Sequence, residues 1–444
     1  MNTIAIDCGA SFVKAALFES GEIKKLIQKS SPGVHTDEKI TEIKYIPILV
    51  DLVKEIIDEI IIDKKEFNMC ISNEMHGFLL AYEDGTPFTD YISWQNEYGN
   101  IEIDGVTSYD MISNEPKLKR TILVSGMPLR AGLPSTNLLF LKRSGILDES
   151  KKDLYFFTLG SYIYRCLSGK TLTEHPTNAA ATGLYNLEQK EWNEEFINAI
   201  GVADITFPLI GNDVMDFEYK GRLIHAFPAL GDQQAALLGA GFNREGDLSF
   251  NLGTGSQVSI ISDSLQYGDG YQIRPFFNCK YLKTIPHIPS GRALNVFYRF
   301  VKSILDRYHC NMSEEDTWKG IIESVSEGNC NCGEMGVDLS FFENAVTDRT
   351  YGQIFNIPEW GFTINSLFVA VFDSLIKNNL LMADKLIKGG IKPDRVFFSG
   401  GIARRFKYVR DGILRKYRGA EEIVAENETL LGLYNYCQMR EKKN

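Results

Sequence analysis

Gly231-Asp232-Gln233-Gln234 is the place in this chain where residue types most directly allow chemistry. Asp232 follows a turn glycine and precedes Ala235-Ala236-Leu237, a run of helix formers, so it stands at a predicted helix N-terminus. A carboxylate there can cap the helix, a contribution of about 1 kcal/mol. It can equally act as a general base, taking the proton of a hydroxyl as that oxygen attacks phosphorus. Gln233 and Gln234 add neutral hydrogen-bonding groups for an oxygen-rich ligand. Residue type alone leaves both roles open.

Two glycine-punctuated turns lie far apart in the chain, each between apolar β-type runs. The first is Asp7-Cys8-Gly9-Ala10-Ser11, and the second is Asn251-Leu252-Gly253-Thr254-Gly255-Ser256. Glycine lets the backbone approach a ligand closely, and gathered backbone N–H groups make an anion-binding concavity. Two such hairpins opening halves of similar length point to a pair of related lobes holding one polyphosphate. Asp7 ends the first strand; its carboxylate cannot pair with phosphate directly, so Mg²⁺ or its bound water is one mediator. Capping of its own turn is the alternative.

A sugar offers C–H patches and hydroxyls together, which suits an aromatic face flanked by amides and imidazole. Glu74-Met75-His76-Gly77 and Trp94-Gln95-Asn96 supply those types. His76 is also readable as a hydrogen-bonded histidine at a strand end, and Trp94 as ordinary core. Gly400-Gly401 after a strand would let the backbone lie against adenine or ribose, or make a tight turn. Cys330-Asn331-Cys332 has no matching ligand pair at metal spacing and is read as loop thiols.

These residues need elements to place them. Apolar residues at Ile46, Leu49, Val50, Val53, Ile56, Ile57 and Ile60 predict a one-sided helix over 45–62, followed by a strand-like run over 67–72. Strand, strand, helix, strand is the order of an α/β lobe. The middle, about 114–200, reads as mostly helical, with a capped helix start at Thr136 and a buried helix over 159–167. Phe227-Pro228-Ala229-Leu230-Gly231 marks the expected seam, dividing the chain into 1–228 and 229–444. The second half repeats the order: hairpin 248–261, a long amphipathic helix over 364–387, and a strand at 395–399. Gly389-Gly390 and Pro393 are expected to stop that long helix. A closing helix spans 428–438.

At 444 residues, two domains are expected. A net charge of -11 and a pI near 5.2 argue against nucleic acid or an anionic membrane as the main partner. No uninterrupted apolar run approaches the roughly 18 residues of a bilayer span. The residues before the first strand carry no basic segment or cleavage signature. Eight scattered cysteines do not make a disulfide framework. A cytoplasmic enzyme is expected.

Asp7-Cys8-Gly9-Ala10-Ser11 with Lys14, Glu74-Met75-His76-Gly77, Trp94-Gln95-Asn96, Gly231-Asp232-Gln233-Gln234, Gly253-Thr254-Gly255-Ser256 and Ser399-Gly400-Gly401 fall in order along the chain. Their spacing resembles that of the FGGY carbohydrate kinases, in the superfamily of actin, hexokinase and the heat-shock chaperones, from about Asn2 to Leu433. The resemblance implies an ATP-dependent kinase of α/β class with two actin-like (ribonuclease H-like) lobes and an interlobe cleft. It also implies a role for each position. Asp232 would be the base for the sugar hydroxyl, and Asp7, Gly9, Ala10, Ser11, Lys14, Gly253, Thr254, Gly255 and Ser256 the phosphate side. Asp7 would sit near Mg²⁺, and Gly291, Gly400 and Gly401 beside the nucleotide. Met75, His76, Gly77, Trp94, Gln95, Asn96, Asp232 and Gln233 would face the sugar. A small sugar and ATP are then the partners, with a homodimer as an expected assembly and no nucleic acid or membrane.

Within the family the chain is most similar to sedoheptulokinases, with xylulokinases next. Arg274-Pro275-Phe276-Phe277-Asn278 and Thr177-Asn178-Ala179-Ala180 with Gly183 carry the former likeness. It departs from the pattern at Ala10, where a second threonine is usual, at Glu74 for Gln, and at Asn96 for Asp. Those exchanges bear on the sugar more than on the reaction. They also leave room for a catalytically weakened sugar sensor. An actin-like nucleotide-gated binding protein is the other competing class, and no added peptide-binding or assembly domain is visible to favour it.

Overall fold

The computed structural model describes residues 1–35, 42–61, 65–150, 152–326, 334–387 and 392–442. The chain divides into two compact units. Unit 1 holds 1–241, 273–279 and 427–444, and unit 2 holds 242–272 and 280–426. The expected seam at 228/229 falls within unit 1. Position 228 lies inside one continuous strand, Arg222–Gly231, and the helix after it stays with unit 1.

Unit 1 is built on a mixed sheet in the order Met215–Tyr219, Arg222–Gly231, Glu66–Asn73, Thr3–Cys8, Phe12–Glu19, Glu22–Ser30. Thr3–Cys8, Glu66–Asn73 and Arg222–Gly231 run parallel, and Phe12–Glu19 folds back antiparallel. Parallel strands covered on both faces read as near-continuous apolar runs. Glu66–Asn73 does so: every residue after Glu66 is buried. The predicted helix over 45–62 is Ile46–Ile60, with the seven named apolar residues all buried. The helix expected to start at Thr136 instead begins at Pro134, because proline's fixed φ suits the first turn. Thr136 turns its hydroxyl back to the carbonyls of Arg130, Ala131 and Leu133.

The chain closes in unit 1. Helix Glu428–Glu441 packs on helix Asp232–Gly239, which carries Asp232 at its first position. The two backbones touch where both helices place glycine. A Cβ on Gly432 would stand 1.8 Å from the Ala235 carbonyl oxygen, and one on Gly239 1.8 Å from that of Glu428.

Unit 2 repeats the plan. Its strands lie in the order Tyr281–Pro289, Gly255–Ser262, Asp247–Leu252, Arg395–Ser399, Glu421–Val424, the last three parallel. Helix Ile364–Leu386 fills its core with Leu367, Phe368, Val371, Phe372 and Leu375. It opens on a capping box in which Thr363 and Ser366 satisfy each other's backbone N–H. By length and composition this helix passes for a membrane span, and its apolar character is accounted for by burial of 67% of the apolar window. The expected stop at Gly389-Gly390 and the pair Cys330 and Cys332 lie outside the described residues.

Candidate active site

The parallel register of unit 1 brings three strand ends level. Asp7 stands opposite Ser72, and Ser72 and Asn73 stand opposite Leu230 and Gly231. The carboxyl ends of parallel strands are where open α/β sheets bind ligands. Asp7, Glu74 and Asp232 therefore converge at one edge because the chain leaves all three strands there.

Ser72 Oγ donates to Asp7 Oδ1 at 2.8 Å. Burial raises the Asp7 carboxyl to about 6, against the lowering effect of that hydrogen bond and of Lys14. Asp232 is the first helical residue, with Gly231 before it as the cap. It is not the N-cap that residue type allowed; its Oδ1 accepts from the next backbone N–H, Gln233, at 2.7 Å. The helix N-terminus favours its negative form. Burial outweighs this, and with the nearby charges of Asp7 and Glu74 it raises Asp232 to about 7. A carboxylate so poised exchanges protons near neutral pH, as a general base must. Gly231 is itself held, its N–H donating to Thr177 Oγ1 at 3.1 Å.

The segment 74–77 leaves the central strand beside this edge. Glu74 and Met75 are buried. His76 takes a left-handed backbone, φ 67°, and its Nδ1 lies 2.6 Å from the Ala181 carbonyl, which can only accept, so Nδ1 carries the proton. Gly77 is required by packing, since a Cβ would stand 1.9 Å from the Tyr91 hydroxyl. Trp94 is 45% exposed, which rejects the core reading and leaves a ring face available. Asn96 is buried, and its Oδ1 accepts from Ser93 N at 2.8 Å and Ser93 Oγ at 3.1 Å. An aspartate could accept the same two bonds, so the exchange at 96 preserves the turn. Gln95, half-buried between them, keeps partial access to solvent.

Sequence reasoning singled out Arg274 only as part of a family-like stretch, and did not give it a role at this edge. Arg274 is buried; its Nη1 donates to Gln233 Oε1 at 2.6 Å and lies 3.4 Å from Met75 Sδ. A charged residue interrupting the apolar run Ile273-Arg274-Pro275-Phe276-Phe277 was the available signal. Ser72 was missed as well, because a serine at a strand end carries no mark of its own.

Of the remaining predicted residues, Gly253, Thr254, Gly255, Ser256, Gly400 and Gly401 belong to unit 2, at the ends of Asp247–Leu252 and Arg395–Ser399, where Asn251 stands opposite Ser399. Thr254 and Gly255 are exposed in the turn. Ser256 is different: it is 1% exposed, its Oγ turned to the Asn379 amide at 3.5 Å. Its hydroxyl supports the turn from within. Gly291 and Arg292, opening helix Gly291–Arg307, donate their N–H groups to the carbonyls of Gly253 at 3.0 Å and Thr254 at 2.8 Å. Gly291 thus shapes the turn, its missing Cβ permitting the approach to the Gly253 carbonyl. Gly400, at φ 89°, backs onto Leu252, whose oxygen a Cβ would meet at 2.4 Å, while a Cβ on Gly401 would meet open space.

In unit 1, Gly9 closes the first turn by donating to the Phe12 carbonyl at 3.1 Å, with Ala10 half-buried and Ser11 exposed. Lys14 stands opposite Asp7 on the neighbouring strand.

Residues 2–214 match the model of the FGGY family of carbohydrate kinases, N-terminal domain. An uncharacterized sugar kinase of Archaeoglobus fulgidus is 29% identical over 150 residues, 34% of this chain and 30% of that protein. A glycerol kinase of Rhizobium meliloti is 26% identical over 269 residues, 57% of this chain and 52% of its own length. The chain thus spans about half or less of these curated relatives. Among solved structures, a ligand-bound xylulose kinase from Lactobacillus acidophilus superposes with a TM-score of 0.82 at 18% identity, covering 100% of this chain and 90% of that one. That likeness is one of fold, and it bears out the expected α/β, actin-like class. The family match thus covers residues 2–214, as the FGGY N-terminal domain, and the fold of the whole chain is similar to that of the solved xylulose kinase.

Proposed function

We propose that this protein transfers the γ-phosphoryl group of ATP to a primary hydroxyl of a small sugar, with Asp232 as the base. The observation that carries the reading is the Asp232 carboxylate, raised to about 7 at the level of three parallel strand ends and within the field of Asp7. The relatives named for sugar and glycerol phosphorylation support the reaction class. The acceptor we assign is a ketose, sedoheptulose or xylulose, on the resemblance carried by His76 and the 274–278 stretch.

In unit 1 the turn Gly9-Ala10-Ser11 and Lys14 are assigned to phosphate. In unit 2 Thr254 and Gly255 are assigned to phosphate, with Ser256 and Gly291 holding the turn and Gly400-Gly401 beside the adenosine. Met75, His76, Gly77, Trp94, Gln95, Asn96 and Gln233 form the sugar side, with Trp94 offering its exposed face to C–H groups. Asp232 takes the hydroxyl proton, the oxygen attacks the γ-phosphorus, and the bond to ADP breaks in line. Exclusion of water keeps the acceptor hydroxyl as the only nucleophile.

Mg²⁺ fits the donor set. No three His, Cys, Asp or Glu side chains gather as a cage among the described residues. A single carboxylate beside substrate phosphates is how that ion is commonly held. Asp7, pushed toward protonation by burial, gains from an arriving cation and would hold it through water. When bound, the ion neutralises charge on the phosphate oxygens. Thiols not in disulfides at Cys70, Cys166, Cys279, Cys310 and Cys437 accord with a reducing setting.

Screening ketoses, aldoses and polyols for sugar-dependent ADP release tests the proposal and names the acceptor. Asp232→Asn should keep ATP binding and lower turnover by roughly 10²–10⁴-fold. A variant keeping more than about a third of wild-type phosphorylation removes Asp232 from this role. ADP release independent of every sugar would favour the nucleotide-gated class instead.

A further inference from the structure

We propose that Arg274 is a positioning residue for Asp232: lodged against Gln233 and Met75, it fixes the first turn of helix Asp232–Gly239 and brings a positive charge toward its carboxylate. This rests on the reading of Asp232 as the base. It assigns to Arg274 a task that neither the family match nor the relatives supply.

The geometry is that of a built support. Arg274 is 4% exposed. It reaches Gln233 Oε1 at 2.6 Å and Met75 Sδ at 3.4 Å, so it touches the residue after Asp232 and the loop that follows the central strand. The segment that carries it is pinned on both sides. Ile273 N donates to the Gly126 carbonyl at 2.9 Å. Gly126, at φ 70°, leaves no room for a side chain, since a Cβ would meet the Ile273 oxygen at 2.2 Å. Beyond Arg274, the Phe277 ring is buried against His175 and Tyr436, with centroids 5.9 and 5.6 Å away.

The charge of Arg274 matters as well. The charged groups facing Asp232 are Asp7 and Glu74, which oppose ionisation, and Arg274, which favours it. Arg274 in turn faces Arg130, and burial followed by that like charge lowers it to about 9, still protonated at neutral pH. Burying a guanidinium is expensive unless its charge is used. Here it opposes, in part, two acidic neighbours at the carboxylate assigned to accept a proton.

The test reads Asp232 without needing turnover. Met75 Cε would lie 3.2 Å from a Cβ placed on Gly231, so a ¹³C-labelled Met75 methyl lies next to the residue preceding Asp232, where its shift should respond to that carboxylate. In the full chain we expect an inflection near pH 7 that Asp232→Asn abolishes. Arg274→Met should move it up, and the acid limb of kcat/KM should move with it. Arg274→Lys, which keeps the charge but lacks the planar fork, should leave the inflection in place and raise the sugar KM. An unmoved inflection in folded Arg274→Met overturns the proposal. Should Arg274→Met fail to fold, a displaced inflection with unchanged sugar KM in Arg274→Lys overturns it equally. A wild-type protein that titrates as expected but phosphorylates no sugar sinks the kinase reading and not the coupling of Arg274 to Asp232.

Discussion

Ser72 donates its hydroxyl to Asp7 across two parallel strands, Oγ to Oδ1 at 2.8 Å, each residue one position short of its strand's end. The bond stabilises the charged form of a carboxyl that burial has raised to about 6. Hydrogen bonds to charged groups contribute about 1.5–3 kcal/mol. Ser72→Ala should therefore raise Asp7 further, by about one unit. The expected readout is weaker Mg·ATP binding at pH 6.5 with little change at pH 8.5, measured by calorimetry. Equal weakening at both values would show that Ser72 shapes the strand end and does not tune the acid.

Asp7, Asp232 and Glu174 share one property: burial pushes each above the usual carboxylate range, to about 6, 7 and 7. Such groups prefer the protonated form in the folded chain. Their stabilising effect is present in full below the unfolded carboxylate value of about 4 and is lost as pH rises through 6 to 7. Thermal unfolding should show Asp232→Asn more stable than wild type at pH 8 and no more stable at pH 4. That is the stability–activity exchange expected where a site stores unfavourable charge. A variant less stable at pH 8 would mean that the bond to Gln233 N outweighs the repulsion from Asp7 and Glu74.

Much of the fold around these residues is legible in the sequence. The helix over Ile46–Ile60 follows from apolar spacing alone, and the two glycine turns stand at strand ends as their residue types required. What escaped was tertiary. Nothing local in Ser256 says that its hydroxyl turns inward to Asn379, because a turn serine offers the same residue type to ligand or interior. Pro228 reads as a domain seam by its punctuation, yet the strand runs through it with a register shift between Phe227 and Leu230 that accommodates the missing N–H. Arg274 reaches Gln233 from 41 positions away, a pairing that only the packed segment 273–279 creates.

Trp94 stands 45% exposed while the comparable Trp192 is 8% exposed, so the two tryptophans do different work. Removing a ring that only contacts the acceptor should alter acceptor binding alone. Trp94→Ala is expected to raise the sugar KM while leaving the ATP KM and the thermal midpoint near wild type. Equal damage to both KM values, or a lost midpoint, would make it a packing residue.

Gly432 tests whether the site depends on the closing helix. The helix Glu428–Glu441 meets Asp232–Gly239 backbone to backbone, and a methyl at 432 would stand 1.8 Å from the Ala235 oxygen and 2.6 Å from its carbon. Neither partner is a flexible side chain, so the helices must separate. Overpacking of this kind costs about 1–3 kcal/mol. Gly432→Ala should lower the thermal midpoint and also turnover, since the displaced helix carries Asp232 at its first position. Gly320→Ala is the control: it lies in a helix with open space around its Cβ position and should be neutral or gain up to about 1 kcal/mol. A Gly432→Ala protein that loses stability but keeps full turnover would show that the placement of Asp232 is set by the strand edge alone, through Gly231 and Thr177, and not by the helix packed behind it.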